Sequence, residues 1–304
     1  MENAIDEAFL ADLVADCPDT WWQDQRVCRC FARFFAKYIL ALDVACRIGG
    51  HPRWETLTGL LVQRGGMSFW FTAAHVLDYL RTLLGNGSCE TLRAWWFDGC
   101  EIKGAERIPV DLPSLATRSA KCPTDVFDIG VVVLSKNERE LLMAGGKHEF
   151  ATERWWRALD AGSPIGHYLV GFPAEWQEFQ TISETPQGTL VEPRRELACV
   201  PVREIAKDPQ GEPADFWTPS ACIFGQALPY SATDDLFLNS IKGTSGGPLF
   251  SVEIRGPKGF RFRLHGIQSA WLPERRILRA VRMDVGASLS DDLVNSIRQT
   301  ESSE

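Results

Sequence analysis

The apolar positions change period along the chain. Ile5, Phe9, Leu10, Leu13 and Val14 recur at helical spacing, and Cys17-Pro18-Asp19-Thr20 interrupts them. Val27, Phe31, Phe34, Phe35, Tyr38 and Ile39 form a second helical stripe. Such stripes predict helices docked on a core, with a partner-binding face as the alternative. From about residue 45 the runs shorten. Thr56 to Gln63 and Met67 to Thr72 flank Arg64-Gly65-Gly66, a hairpin signal. Trp95-Trp96-Phe97 and Val126 to Leu134 read as further strands. Residues 136–160 are charged and helix-prone and predict a connector. Strand-like runs then resume at His167 to Phe172, Ser220 to Gly225, Pro248 to Ile254, Phe260 to Gln268 and Ile277 to Val285. Their spacing and turn residues predict all-β sandwich or barrel units. Ser288 to Gln299 reads as a closing helix with Ser288 as its cap. The division is therefore 1–44 as a helical N-terminal extension, 45–135 as a first β unit, 136–160 as a connector, and 161–304 as a second β unit with a C-terminal helix.

Composition narrows the function classes. Eleven Trp and seventeen Phe in 304 residues supply ample core and exclude a wholly disordered chain. The formal charge of −8 argues against a broad phosphate-binding face, so no nucleic-acid partner is expected. The longest apolar stretches fall short of the roughly 18 residues of a spanning helix, so no membrane partner is expected either. The chain opens on Met1-Glu-Asn-Ala-Ile-Asp-Glu, acidic where a secretory signal is basic and then apolar. With nine cysteines, an odd number, this points to a soluble cytoplasmic protein with reduced thiols. Cys28-Arg29-Cys30 with Cys17 has C-x-C spacing and no nearby His, so no metal is expected there. No cofactor is expected.

The segment richest in chemistry is Gly243-Thr244-Ser245-Gly246-Gly247-Pro248-Leu249-Phe250. Glycines around a serine allow a tight turn with an exposed hydroxyl. The amides of Gly243 and Ser245 can together face one anionic oxygen, as an oxyanion hole does. A serine hydroxyl is a weak nucleophile and needs a base. Among five histidines, His75 stands out in Phe71-Thr72-Ala73-Ala74-His75-Val76-Leu77, where small residues leave room for a ring facing a cleft. The orienting carboxylate is expected at Asp128, directly before the apolar run Ile129 to Leu134, where an acid is costly without a buried partner. Asp125 competes but sits outside that run. The Gly243 to Gly247 segment also fits the nucleophile elbow of α/β-hydrolases. In that fold the histidine follows the serine with an acid between. Here only His265 follows Ser245, only Glu253 lies between, and βαβ alternation is absent. Subtilisin order would have to recruit His148 or His167, and no motif supports it.

These segments resemble those of the trypsin-like (chymotrypsin-fold) serine proteases. Thr72-Ala73-Ala74-His75 is similar to the family's T-A-A-H motif, Asp128-Ile129-Gly130-Val131 to its D-I-A-L motif, and Gly243-Thr244-Ser245-Gly246-Gly247-Pro248 to its G-D-S-G-G-P motif. The order His, Asp, Ser is also the family's. The resemblance spans about residues 45–287 and implies a mainly β fold of two six-stranded antiparallel β-barrels with the site between them. It implies Ser245 as nucleophile, His75 as general base and then acid, Asp128 as the group orienting the imidazole, and the amides of Gly243 and Ser245 as oxyanion hole. His265-Gly266-Ile267-Gln268-Ser269 resembles the strand lining the substrate cleft, so Gln268, Ser269 and Trp271 are implied substrate-binding residues. Ser269 matches a serine that often sits behind the catalytic aspartate. Asn239, six before the nucleophile, matches the base of the primary specificity pocket. It is not an acid, so preference for Lys or Arg is not supported there, although Asp234 and Asp235 lie nearby.

The departures are informative as well. Val76 stands where secreted relatives often carry a cysteine, consistent with a reduced compartment. Thr244 replaces the aspartate of zymogen-activated relatives, which counts against activation by a freshly cut N-terminus. This region is nearer to bacterial Deg/HtrA-type peptidase domains, but the 59 residues after Ser245 leave no room for a PDZ domain. The expected function is a serine endopeptidase cleaving a protein or peptide substrate through an acyl-enzyme. The alternative is a catalytically silent or partner-activated module for protein recognition, with an activating partner on the N-terminal helices.

Overall fold

The computed structural model describes residues 21–49, 51–85, 89–97, 107–122, 127–151, 165–174, 177–185, 188–206, 222–228, 240–254 and 260–301. Helix α1, Gln25–Ala36, is the first helix of the described residues and follows a short 3-10 turn. Its N-cap is Asp24, whose carboxylate accepts from the Arg26 amide. The first sheet contains β1 (Ile39–Ile48), β2 (His51–Arg64), β3 (Met67–Thr72), β4 (Cys89–Phe97), β5 (Arg107–Val110), β6 (Ser119–Lys121) and β7 (Gly130–Val133), in the order β5-β4-β1-β2-β3-β7-β6. Helices α2 (Ala74–Gly85) and α3 (Leu112–Thr117) lie within this stretch of chain, and α4 (Lys136–Ala144) follows it. The short β8 (Phe150–Ala151) pairs parallel with β2, making eight strands.

The second unit contains a closed barrel of six strands: β9 (Ile165–Gly171), β12 (Ala198–Ile205), β13 (Cys222–Ala227), β14 (Pro248–Ile254), β15 (Phe260–Leu272) and β16 (Ile277–Arg282). β10 (Gln177–Thr185) and β11 (Gly188–Arg195) form a separate ribbon. Helix α5, Met283–Glu301, closes the chain. The fold is mainly β, a closed six-stranded barrel beside an antiparallel sheet, as expected. The first unit differs in detail from six strands in a closed barrel. It is an eight-stranded sheet with no closing ladder among the described residues.

Three boundaries differ from the sequence reading. β1 begins at Ile39, inside the expected helical extension, because the apolar run Ile39 to Leu42 pairs with β2 instead of extending α1. Within the helix-prone connector, residues 136–151 hold a capped helix and also a strand that pairs with β2, while 152–160 lie outside the described residues. The cap is a reciprocal box in which Ser135 and Glu138 bond each other's backbone amides. Met283 to Val285 are helical, not the end of a strand.

The apolar stripe of α1 joins the two units. Val27, Phe31 and Phe35 are fully buried in a core shared by both sheets. Phe35 stacks on Phe250 of β14 at 4.0 Å, and Phe31 meets Tyr168 of β9 at 5.0 Å. The buried Lys147 ammonium donates to the Ala36 and Ile39 carbonyls, which secures the turn from α1 into β1. This face of α1 is therefore occupied by the protein's own core.

Candidate active site

Strand register brings the first two candidate residues together. β3 and β7 are antiparallel, with Thr72 opposite Gly130. His75 follows the end of β3 by three residues and Asp128 precedes the start of β7 by two, so both stand at the same end of the ladder. Ala73 and Ala74 are buried, which sets the α2 start tightly against the sheet and turns the His75 ring outward. Val76 and Leu77 then anchor α2 in the core of the first unit.

Asp128 holds His75 at two points. One carboxylate oxygen accepts from the His75 backbone amide at 2.8 Å, and the other lies 2.6 Å from Nδ1. Because a carboxylate can only accept, Nδ1 is the donor in this contact, which leaves Nε2 as the ring nitrogen not engaged by Asp128. The Asp128 side chain is 18% exposed and that of His75 51%, so the carboxylate is sheltered while the ring is half open to solvent. Asp125 lies outside the described residues.

The serine segment is a turn between two tight glycine contacts. Gly243 and Gly246 have φ of 95° and 88°, in the region that favours glycine. A Cβ on Gly243 would lie 2.7 Å from the Ala174 nitrogen, whose amide donates to the Lys242 carbonyl. A Cβ on Gly246 would lie 2.2 Å from Thr72 Oγ1 and 2.3 Å from the Thr58 carbonyl oxygen. The turn therefore abuts the end of β3 that leads into His75. The Thr72 hydroxyl donates to the Thr58 carbonyl, and the Thr58 hydroxyl donates to the Gly243 carbonyl while accepting from the Phe172 amide. β14 then runs between β9 and β15, anchoring the turn in the closed barrel.

Amides around Ser245 divide into two groups. Those of Lys242, Thr244, Gly246 and Gly247 donate to Ser240 Oγ and to the carbonyls of Ile241, Gln268 and Thr244. Among the described residues, no acceptor takes the amides of Gly243 and Ser245, the pair expected to bind an oxyanion. No hydrogen bond joins Ser245 to His75 among the described residues. Such bonds commonly tighten only when substrate is present.

The remaining candidates divide. Gln268 lies against the serine turn through its backbone: its carbonyl accepts from Gly246 and its amide donates to the Gly247 carbonyl. Its side chain is buried, and among the described residues Oε1 has no hydrogen-bond partner. Trp271 packs on the barrel cluster that contains Ile241 and Leu249. The Ser269 hydroxyl is engaged within the barrel. It bonds the Arg279 carbonyl at 3.3 Å and accepts from Arg279 Nε at 3.2 Å, because a bulge between Gln268 and Ala270 turns it toward β16. Asn239, Asp234 and Asp235 lie outside the described residues.

Sequence reasoning missed the support beneath the acid. A Cβ on Gly286 of α5 would lie 2.8 Å from Ile129 Cδ1 and 3.0 Å from the Phe71 ring. α5 thus packs directly on the residue after Asp128 and on β3. Arg64 fastens it with two bonds to Asp291, at 2.7 and 2.6 Å, and that pairing holds the Asp291 carboxyl below its ordinary range. Among the described residues Cys28 is a buried free thiol. No helix among the described residues is long and apolar enough to cross a membrane.

No family model matches the chain, and no curated protein shows significant similarity to it. Solved structures of similar shape include the active form of the Rv3671c protease from M. tuberculosis, with 11% identity, TM-score 0.42, and coverage of 88% of this chain and 85% of that one. Kallikrein-related peptidase 10 in complex with Zn2+ is 17% identical, TM-score 0.41, covering 84% of this chain and 95% of that one. A catalytically inactive tobacco etch virus protease with substrate is 16% identical, TM-score 0.35, covering 82% and 80%.

Proposed function

We propose that the chain is a serine endopeptidase of the trypsin-like type, with Ser245 as nucleophile, His75 as base and Asp128 as its orienting acid. The observation that carries this reading is the two-point hold of Asp128 on His75 at the edge against which the Ser245 turn is packed. In the proposed reaction Nε2 of His75 takes the Ser245 proton as Oγ attacks the scissile carbonyl. The imidazolium that forms is stabilised by Asp128, and the oxyanion is bound by the Gly243 and Ser245 amides. His75 then protonates the leaving amine, and water repeats the sequence to release the acyl group. Gln268 and Trp271 are proposed to line the substrate cleft, and Asn239 the base of the specificity pocket. Their side chains favour no acidic or basic residue at the cut site.

The proposed setting is the cytoplasm, because Val76 stands where secreted proteases of this type often carry a loop cysteine. The Deg/HtrA-like character of the serine motif belongs to the same proposal. An activating partner would have to dock away from the buried stripe of α1.

The test is identification of new N-termini in a whole proteome incubated with wild type or Ser245→Ala. A set of cleavage sites sharing residues around the cut, absent with the variant, supports the reading. Identical N-termini in both samples, with and without added cell lysate, would instead favour a silent recognition module.

A further inference from the structure

Away from the serine turn, the closed barrel brings four polar side chains from four strands to one point. They are His167 on β9, Glu204 on β12, Ser251 on β14 and His265 on β15. One ligand atom from each of His167, Glu204 and His265 lies within 4.8 Å of the others. His167 Nε2 is 3.9 Å from the Glu204 carboxylate. The rings are tilted by 35° with centroids 5.6 Å apart. Nδ1 of each ring is directed at the Ser251 hydroxyl, at 2.9 and 3.0 Å. None of these residues serves the proposed peptidase chemistry.

We propose that His167, His265 and Glu204 form a binding site for a divalent first-row transition ion of the Zn2+ class. The chemistry of the donors argues for it. Two imidazoles and one carboxylate are a standard zinc donor set that leaves a fourth position for water. Ser251 supplies the outer support such sites use. A hydroxyl oxygen can accept two hydrogen bonds, so Ser251 can hold both rings with Nδ1 protonated and both Nε2 lone pairs toward the ion. Ser251 is itself fully buried, which fixes the pair of rings from behind. Glu204 is exposed and can rotate inward to bring its oxygen to the roughly 2.0–2.2 Å that Zn2+ requires. The ion would tie β9, β12 and β15 together at this point of the barrel. This proposal is independent of the peptidase reading.

The experiment titrates the chelator-stripped full chain with Co2+ and then displaces it with Zn2+, following the visible ligand-field bands and the stoichiometry by mass spectrometry. The expected result is one ion per chain, with tetrahedral-type Co2+ bands that Zn2+ abolishes. Ser251→Ala should weaken binding by about 10- to 100-fold, the usual range for an outer-shell partner. Glu204→Gln and His265→Gln should weaken it at least as much, with unchanged circular dichroism, while His75→Ala should bind as wild type does. Absence of binding by wild type, or binding that Glu204→Gln and His265→Gln leave intact, would overturn the proposal. So would loss of binding in His75→Ala alone.

Discussion

Gly246 and Thr72 touch where the two units of the protein meet. A Cβ on Gly246 would fall 2.2 Å from the Thr72 hydroxyl, and its φ of 88° is one that other residues rarely adopt. Because Thr72 ends the strand leading to His75, this contact sets how far the serine turn stands from the base. The spacing of Ser245 and His75 therefore depends on the missing side chain of Gly246.

Gly246→Ala is expected to lower peptidase activity by about 100-fold or more, since misplacing a reacting group by about an ångström costs that much. It is also expected to destabilise the fold by about 1–3 kcal/mol, from overpacking and the unfavourable φ. Activity on a cleaved reporter peptide and denaturant unfolding check the two effects. Thr72→Ala should not rescue the variant, because the Thr58 carbonyl is equally close.

Asp128→Asn keeps the size of the side chain and removes the charge that fixes the His75 tautomer. Expected is a fall in kcat of up to about 10⁴-fold with KM little changed and an unaltered unfolding midpoint. Steady-state kinetics and a denaturant curve test it. A loss expressed chiefly in KM would assign Asp128 to binding.

The packing of α5 beneath Asp128 predicts a specific coupling. Gly286→Ala pushes a methyl group toward Ile129 Cδ1, 2.8 Å from the added carbon. It should cost about 1–3 kcal/mol and lower activity. Ile129→Val removes that Cδ1 atom, so the double variant should recover part of the stability and part of the rate. A double-mutant cycle with no interaction energy would contradict the proposed buttress.

The buried histidines predict a pH dependence of stability. Burial, reinforced by Arg263, lowers the His265 pKa from 6.5 to about 3. Burial also lowers that of His167. The unfolded chain therefore binds more protons than the folded one below pH 6.5. Stability is fully present above that pH and is lost on acidification toward about 3. For His265 the slope approaches about 1.4 kcal/mol per pH unit. Unfolding of the chelator-treated protein at pH 7 and pH 5 should show a smaller pH effect in His265→Gln than in wild type, by about 1–2 kcal/mol.

Contiguous signals in the sequence carried most of the local structure. Gly65 and Gly66, with φ of 58° and 82°, make the β2–β3 turn where the sequence predicts a hairpin. The histidine, aspartate and serine segments are each short enough to be read directly. The start of β1 was not legible, because Tyr38 and Ile39 continue the helical stripe of α1 and only pairing with β2 makes Ile39 a strand residue. The role of Gly286 depends on docking of a helix more than 150 residues beyond Asp128. The His167, Glu204 and His265 cluster is likewise a product of strand register, with His167 opposite Ser251 on one side and Val202 on the other. The contact of Ser269 with Arg279 was not legible either, because it lies at a bulge that the sequence pattern does not mark.

The central claim is that Ser245 is an activated nucleophile. Its most direct measurement is peptide mapping by mass spectrometry after reaction with a fluorophosphonate probe. The account predicts one phosphonyl adduct, located on Ser245, that is lost in Ser245→Ala and strongly slowed in His75→Ala. An unmodified Ser245 in the presence and absence of cell lysate, or an adduct that persists in Ser245→Ala, would contradict it.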